Sequence, residues 1–395
     1  MRMTQLKTIA DIQTGPFGSQ LHKEDYVETG TPIVTVEHLG NRVFTEQNLP
    51  RVSDSDKARL IKYTLSTGDI VFSRVGSVDR CSYVDKSHDG WMFSGRCLRV
   101  RPTELVDSLY LYYYFCLEET KQFVRNIAVG ATMPSINTKL LGEVEIALPD
   151  LNNQKRIAAV LSSLDDKIEN NQKLNDNLEQ QAQSYFQELF VDNADPEWAI
   201  GTISDLGTVV GGSTPSKAKP EYYTESGIAW ITPKDLSINK SKFVSHGEND
   251  ITELGLKNSS AAIMPEGTVL FSSRAPIGYI AIAAGEVTTN QGFKSVVPKP
   301  GIGTPFVYFF LKNTLPVIEG MASGSTFKEV SGSTMKNVPA VIPDAETLAK
   351  FSDFCAPIFA QQRILEEQNQ SLATLRDNLL PKLMSGEIDV SDVQL

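Results

Sequence analysis

The residue types that most often carry catalysis are present in this chain, but they are not arranged for it. The few cysteines and histidines lack the spacing of a metal site or a redox pair; they are Cys81, Cys97, Cys116, Cys355, His22, His38, His88 and His246. No glycine-rich phosphate loop, nucleophile elbow or HExxH motif occurs. Asp150 and Asp344 each follow a proline but lack the downstream Glu-x-Lys of a metal-dependent nuclease, and they suit helix starts instead. The sequence therefore predicts a protein with no catalytic activity, metal or cofactor of its own.

The charge balance bears on what such a non-catalytic protein could bind. A net charge of −11 argues against nucleic acid, because phosphate binding depends on lysine and arginine. Most of the excess acid, however, lies in residues 151–195 and 344–395, which leaves two near-neutral stretches that could carry basic faces. No apolar run is long enough to cross a membrane, and the first residues lack a signal-peptide pattern. We therefore expect a globular cytoplasmic protein without membrane contact.

The elements that would position binding residues occur twice along the chain. Thr8 and Asp11 recur as Thr202 and Asp205, at an offset of 194 residues. The offset drifts to 197 and 199 in the middle of the copies and returns to 194 near their ends. Insertions that cancel in this way are typical of two copies of one fold, so the sequence predicts a tandem duplication.

The first part of each copy predicts a mixed domain of short strands and one helix. Short β-branched or aromatic runs bounded by turn residues predict strands at 32–36, 69–73, 91–101 and 143–148. An amphipathic pattern predicts a helix at about 104–126, with a counterpart at about 305–319. The aromatic run from Tyr110 to Phe115 in the first helix favours core packing, with a stacking platform for bases as the alternative.

Each copy continues into a segment with the pattern of a long helix. Glycine is absent for about forty residues, and seam positions follow alternating spacings of four and three, as in a coiled coil. The seam residues are Ile157, Leu161, Leu164, Ile168, Asn175 and Leu178 in the first copy and Phe351, Ile358, Leu365, Asn369, Leu372 and Leu379 in the second. The alternative is a pair of amphipathic helices, each packed on its own domain.

The length of these helices predicts how they pack. A helix of about 38 residues extends about 57 Å, which is longer than a domain of this size is wide, so each helix needs a partner. We expect the two helices to pair antiparallel, with the mixed domains related by a pseudo-two-fold axis. Asn175 and Asn369 fall at the same repeat position, where an amide costs stability but selects one register.

The predicted fold class is therefore α+β, a tandem pseudo-two-fold repeat of two mixed domains separated by two long antiparallel coiled-coil helices. The predicted boundaries are 1–150 and 194–343 for the domains, 151–193 and 344–386 for the helices, and 387–395 for a tail.

This layout resembles the specificity subunits of type I restriction-modification systems along essentially the whole chain. Several local motifs are similar to stretches found in that family at the starts of domains and helices. They are GPFGSQL at 15–21, EYYTESG at 221–227, GIAWITPKDL at 227–236, TTNQGFK at 288–294 and LPDLNNQKRIAAVLSSLDDKIE at 148–169.

The resemblance implies a non-catalytic DNA-reading subunit in which each mixed domain is a target recognition domain for one half of a split site. It implies double-stranded DNA, two methyltransferase subunits and motor-nuclease subunits as partners. Adenine methylation and restriction would then belong to the assembly, and S-adenosylmethionine, ATP and Mg²⁺ would belong to the partner subunits.

Under this resemblance, polar side chains of the two domains would contact base edges. The DNA-binding candidates are Lys23, Arg74, Arg80, Thr132 and Ser135 in the first domain and Lys217, Lys219, Lys234, Arg274, Gln291, Lys294 and Lys328 in the second. Arg74 and Arg274 are favoured because each follows a strand ending in Phe-Ser at corresponding places in the two copies. For the others, a solvated surface charge or a turn residue is the alternative.

Two other functions remain open from the sequence. The chain could be an adaptor, a dumbbell whose end domains bind protein or glycan and whose coiled coil is a spacer. It could also be the recognition half of a single-chain nuclease-methyltransferase, which would require catalytic motifs that the sequence lacks.

Overall fold

The structure is a computed structural model that describes residues 2–16, 20–324 and 328–393. The chain divides into two compact units, residues 1–169 with 370–395 and residues 170–369. Each unit contains one mixed domain and parts of two long helices. Within the described residues, no helix is both long and apolar enough to cross a membrane.

The domain of the first unit is built from short strands and short helices. The strands are β1 (Arg2–Gln5), β2 (Ala10–Thr14), β3 (Tyr26–Val27), β4 (Thr31–Val34), β5 (Arg51–Val52), β6 (Ile70–Ser73), β7 (Cys81–Tyr83), β8 (Met92–Phe93), β9 (Cys97–Pro102) and β10 (Glu145–Leu148). The helices are α1 (Asp54–Arg59), α2 (Ser108–Cys116), α3 (Glu118–Ile127) and α4 (Thr138–Gly142). The strands form two four-stranded sheets, β2-β9-β6-β7 and β3-β5-β4-β8, and a ribbon of β1 with β10.

The aromatic run of α2 is core, as the sequence favours. Tyr110, Tyr113 and Phe115 are fully buried, and the Phe115 ring meets the Phe72 ring of β6 edge to face at 4.7 Å between centroids. A base-stacking role for this run is therefore excluded, because its rings have no exposed face to offer.

Two predicted elements of this domain are wrong in their extent. The strand predicted at 91–101 is two strands, because a turn closed by a hydrogen bond from the Cys97 N–H to the Ser94 carbonyl separates β8 from β9. The helix predicted at 104–126 is also divided, into α2 and α3. Leu117 separates them because its ψ of 133° is not helical. In both cases the apolar pattern of the sequence continues through the residues where the strand or helix is interrupted, so the pattern alone does not predict the interruption.

A long helix, α5 (Leu151–Gln187), connects the first domain to the second, which repeats the same architecture. The strands are β11 (Ala199–Thr202), β12 (Gly207–Gly211), β13 (Tyr223–Thr224), β14 (Ile228–Ile231), β15 (Phe243–Val244), β16 (Asn249–Ile251), β17 (Val269–Ser273), β18 (Ile277–Ala283), β19 (Thr288–Thr289), β20 (Lys294–Pro298) and β21 (Pro339–Ile342). The helices are α6 (Ile203–Leu206), α7 (Pro233–Ile238), α8 (Glu253–Lys257), α9 (Thr304–Met321) and α10 (Gly332–Lys336).

The sheets of the second domain have the same strand order as those of the first. They are β12-β20-β17-β18-β15, β13-β16-β14-β19 and the ribbon β11-β21, with β15 as an added edge strand parallel to β18. Gly68 and Gly267 match at the sequence offset of 199 residues. Both have positive φ, and both lie beside a hydroxyl at the start of the domain helix, that of Ser108 or Thr304. The predicted tandem duplication is confirmed.

The two long helices, α5 and α11 (Ala345–Ser385), pack together in each unit. In the first unit the start of α5 shares a core with the end of α11, through residues such as Ile157 and Leu383. In the second unit the end of α5 shares a core with the start of α11, through residues such as Phe186 and Phe351. The helices therefore run antiparallel, as predicted. α11 continues through two internal prolines, Pro357 and Pro381.

The predicted seam residues all lie at least partly out of solvent. Five are buried, namely Ile157, Leu161, Phe351, Ile358 and Leu365, and the others are half-buried, namely Leu164, Ile168, Asn175, Leu178, Asn369, Leu372 and Leu379. The domain boundaries drawn from the sequence remain a prediction.

The middle of the seam is polar, and its amides pair in the second unit. The buried Asn171 side chain donates to Asn369 Oδ1 at 2.9 Å, and the buried Gln362 side chain donates to the Asn175 carbonyl at 3.2 Å. Asn369 thus pairs with Asn171. The Asn175 side-chain oxygen is buried without a hydrogen-bond partner in the described structure.

Candidate nucleic-acid interface

Three segments that are distant in sequence meet at one edge of the first domain. The chain after β6, the turn before β9 and the loop after α3 are joined by backbone hydrogen bonds, from the Arg74 N–H to the Arg96 carbonyl at 2.8 Å and from the Ile136 N–H to the Arg74 carbonyl at 2.9 Å. This brings together the side chains of Arg74, Arg96, Thr132 and Ser135, which we call the first polar edge. The half-buried Arg74 guanidinium donates to the Gly95 carbonyl at 3.1 Å, whereas Arg96 and Thr132 are exposed.

The loop of this edge is closed on itself. Val129 and Ser135 exchange both backbone hydrogen bonds, at 2.9 and 2.8 Å, and the Ser135 hydroxyl also donates to the Val129 carbonyl at 3.1 Å. The loop is also attached to the chain after β6, because the Gly76 N–H donates to the Pro134 carbonyl at 2.8 Å. Of the two candidates in this loop, the Ser135 hydroxyl is used in a hydrogen bond within the loop. Thr132 is exposed and can contact a ligand.

The remaining candidates of the first domain differ in their surroundings. The Arg80 guanidinium donates a short hydrogen bond to the Leu39 carbonyl and lies against Gly40, so it stabilises the loop after β4. Lys23 begins a short 3₁₀ turn (Lys23–Asp25), and its side chain lies outside the described part of the chain. The structure therefore joins Arg74 to the loop residues, whereas the Arg80 guanidinium bonds to the loop after β4.

The same strand ends form an edge in the second domain. The Ser273 N–H donates to the Gly292 carbonyl at 2.7 Å, and the Val330 N–H donates to the Ser273 carbonyl at 3.0 Å. Four of the predicted residues come from these segments and define the second polar edge; they are Arg274, Gln291, Lys294 and Lys328. Residues 325–327 of the corresponding loop lie outside the described residues.

The second edge contains an ion pair. Arg274 lies 3.6 Å from the Glu329 carboxylate. Lys294 donates to the carbonyls of Gln291 and Phe293, and burial lowers the pKa of its ammonium, an effect that Glu329 opposes. The Gln291 side chain accepts a short hydrogen bond from the Thr214 hydroxyl. The edge is therefore basic but partly neutralised by Glu329.

Three other candidates of the second domain are exposed lysines. Lys219 lies 3.6 Å from Glu221, and Lys234 lies 2.5 Å from Glu248. Lys217 belongs to the same exposed segment as Lys219, after β12. Their exposure permits contact with a phosphate, but nothing in their bonding sets them apart from ordinary surface charges.

The expected correspondence of Arg74 with Arg274 is wrong by one residue. Arg74 and Ser273 make equivalent backbone bonds: each donates to the turn before β9 or β20 and accepts from the loop after the domain helix. Arg274 comes one position later, because β17 has an extra serine and a register shift between Phe271 and Ser273 in its pairing with β18. The two arginines thus leave their strands at different points.

Arg96 is the member of the first edge that the sequence prediction missed. The single strand predicted at 91–101 placed Arg96 inside a strand, whereas it lies in the turn between β8 and β9. The Ser94-Gly95 pair is a turn signal that would have separated the two strands.

Two cations that the sequence prediction missed, one half-buried and one buried, attach the domains to the long helices. Arg42 contacts the Asp166 and Glu169 carboxylates of α5, the latter at 3.0 Å. Lys242 of the second domain is equivalent to Arg42 of the first. The Lys242 carbonyl accepts from the Ile282 N–H of β18 at 2.7 Å, and the Arg42 carbonyl accepts in the same way from the Tyr83 N–H of β7. We call Arg42 the first anchor and Lys242 the second anchor.

Within the described residues, no group of three or more His, Cys, Asp or Glu side chains is placed to hold a metal ion. Each edge is a set of hydrogen-bonding groups and cations on a backbone joined by hydrogen bonds.

Comparison with known proteins identifies the class. The family described as type I restriction modification DNA specificity domain matches the chain twice, at residues 1–180 and 196–375. The chain therefore belongs to this family. It is the DNA specificity subunit of a type I restriction-modification system, and catalysis resides in the partner subunits of the complex.

Relatives match over different shares of the chain. The MjaIX specificity subunit of Methanocaldococcus jannaschii is 40% identical over 191 residues, which is 46% of this chain and 44% of that protein. The HindI specificity subunit of Haemophilus influenzae is 23% identical over 406 residues, covering 83% of this chain and 88% of that protein. The S subunit from M. genitalium has the same fold, with a TM-score of 0.61 at 18% identity over 97% of this chain and 95% of that one.

Proposed function

We propose that each polar edge reads one half of a split DNA site, the first domain one half and the second domain the other. The observation that carries this is the duplication of one edge: in both domains, the chain after β6 or β17, the turn before β9 or β20 and the loop after the domain helix meet through the same backbone bonds. Arginine and lysine side chains suit guanine, and amides suit adenine.

The acidic balance of the chain fits this proposal. The excess acid belongs to the two long-helix segments, whereas the domains that carry the edges are close to neutral. Phosphate neutralisation would come largely from partner subunits, while this chain supplies contacts to base edges.

The long helices would dock two methyltransferase subunits and set the number of unread base pairs between the half-sites. S-adenosylmethionine would bind in the methyltransferase subunits, and ATP and Mg²⁺ in motor-nuclease subunits when those join. The target recognition domains would span 1–150 and 194–343, and the complex would act on cytoplasmic DNA.

The test is reconstitution of the chain with its methyltransferase subunits, followed by long-read sequencing of modified bases in a host genome that lacks other methylation. We expect a split adenine-methylated motif that disappears when this chain is omitted. A continuous motif, or methylation that persists without this chain, would contradict the proposal. Binding to protein or glycan with no DNA preference in a gel shift would instead support the adaptor alternative.

A further inference from the structure

The loop of the first polar edge exposes two apolar side chains. Val129 is 64% exposed and Met133 is 61% exposed, although both belong to a loop that is bonded to itself and to the domain. From the sequence, only the hydroxyl residues Thr132 and Ser135 of this loop are DNA-binding candidates. The structure instead turns its hydroxyl Ser135 inward, onto the Val129 carbonyl, and leaves Met133 at the surface.

Backbone hydrogen bonds and one glycine turn define the path of this loop around Met133. Gly130 has a φ of 112°, and a Cβ on it would be 2.7 Å from the Met133 carbonyl oxygen, so the turn requires glycine at this position. The two residues after Met133 are also bonded: the Pro134 carbonyl accepts from the Gly76 N–H, and Ser135 exchanges backbone hydrogen bonds with Val129. A methionine held by such a backbone can contact a ligand without the entropy loss of ordering the loop on binding.

The surroundings of Met133 fit the groove of DNA. Arg74 belongs to the segment to which the loop is hydrogen-bonded, the Arg96 carbonyl accepts from the Arg74 N–H, and Thr132 precedes Met133. Residues 128–137 contain no acidic side chain. An exposed apolar group on an edge that also carries cations and a hydroxyl suits a base edge between two phosphate chains, where acidic groups would be repelled.

We propose that Met133 is a specificity residue that packs against the C5-methyl group of a thymine in the half-site read by the first domain. This inference rests on the proposed DNA-reading function and deepens it. The thymine methyl is the apolar feature of the major-groove pattern, and it distinguishes thymine from cytosine and from uracil. A thioether side chain is flexible at its end and adapts to such a surface.

The test measures binding of the complex with its methyltransferase subunits to duplexes in which single thymines of the first half-site are replaced by uracil. For the unaltered protein, one replacement should weaken binding about fourfold, the effect of removing one buried methyl group. Met133→Ala should weaken binding to the intact duplex by a similar factor and should no longer respond to that replacement. Met133→Leu should keep the response.

A matched control is Leu105→Ala, because Leu105 is equally exposed, at 64%, but lies outside the loop. This variant should bind all duplexes like the unaltered protein. The inference is overturned if Met133→Ala keeps the uracil response or full affinity, or if the half-site contains no thymine. A complex that prefers no duplex at all would overturn the proposed function as well.

Discussion

The second anchor, Lys242, makes a prediction about pH that can be worked out from its surroundings. Its ammonium lies 2.6 Å from the Glu179 carboxylate, 2.8 Å from the Gln362 side-chain oxygen and 3.7 Å from the centroid of the Phe359 ring. Lys312 shares Glu179 with it. Burial lowers the pKa of Lys242 from 10.5 to about 8, because desolvation of the ammonium outweighs the attraction of Glu179.

The sign follows from proton linkage. Between pH 8 and 10.5 the unfolded chain keeps the Lys242 proton while the folded chain loses it, so the free energy of unfolding rises with pH. One pKa unit corresponds to about 1.4 kcal/mol, so this side chain should contribute a rise of about 3 kcal/mol across the window. The Lys242→Met variant should lack that rise, since methionine fills the site without a titrating group.

The assay is urea unfolding of both proteins at intervals from pH 7 to 10.5, with the difference between them as the measured quantity. Taking the difference removes the tyrosines and thiols that also titrate there. Lys234→Met is the control. Lys234 is exposed, and the hydrogen bond to Glu248 raises the pKa of its ammonium, so the stabilisation from this pair is lost as pH rises through the raised pKa. The pH dependence expected for Lys234 is thus opposite in sign to that of Lys242. A flat or falling difference for Lys242→Met would refute the burial argument.

Three other predictions concern the edge and the helices. Arg74→Ala should weaken binding to the first half-site alone, by about 1–3 kcal/mol if the contact with guanine is bidentate, as competition with duplexes scrambled in one half would show. Replacing Asn171 and Asn369 together by leucine should raise the urea midpoint while allowing other helix registers, detectable by cysteine cross-linking. Inserting seven residues beside each of these asparagines should lengthen the helix pair by about 10.5 Å, or about three base-pair steps. Sequencing of methylated sites should then show a longer spacer between unchanged half-sites.

The sequence predicted those features whose signal is periodic or repeated. Spacings of four and three placed residues such as Ile157 and Phe351 at helix contacts, because a helix buries one stripe of side chains whatever partner it meets. The offset between copies predicted two domains of one fold, since insertions in loops leave the buried framework in register. The lack of catalytic motifs predicted a chain without catalysis of its own, and the family resemblance implied that the chemistry belongs to partner subunits.

The tertiary structure decided which residues meet. Arg74 and Arg96 form one edge with the loop after α3 because β6 and β9 pair, and the local sequence carries no record of that pairing. The extra serine of β17 moved Arg274 one position beyond the residue that makes the backbone bonds equivalent to those of Arg74. Lys242 meets Glu179 across 63 residues of chain. Such contacts depend on packing between elements, and an isolated lysine in a sequence looks the same whether it is solvated or buried beside a carboxylate.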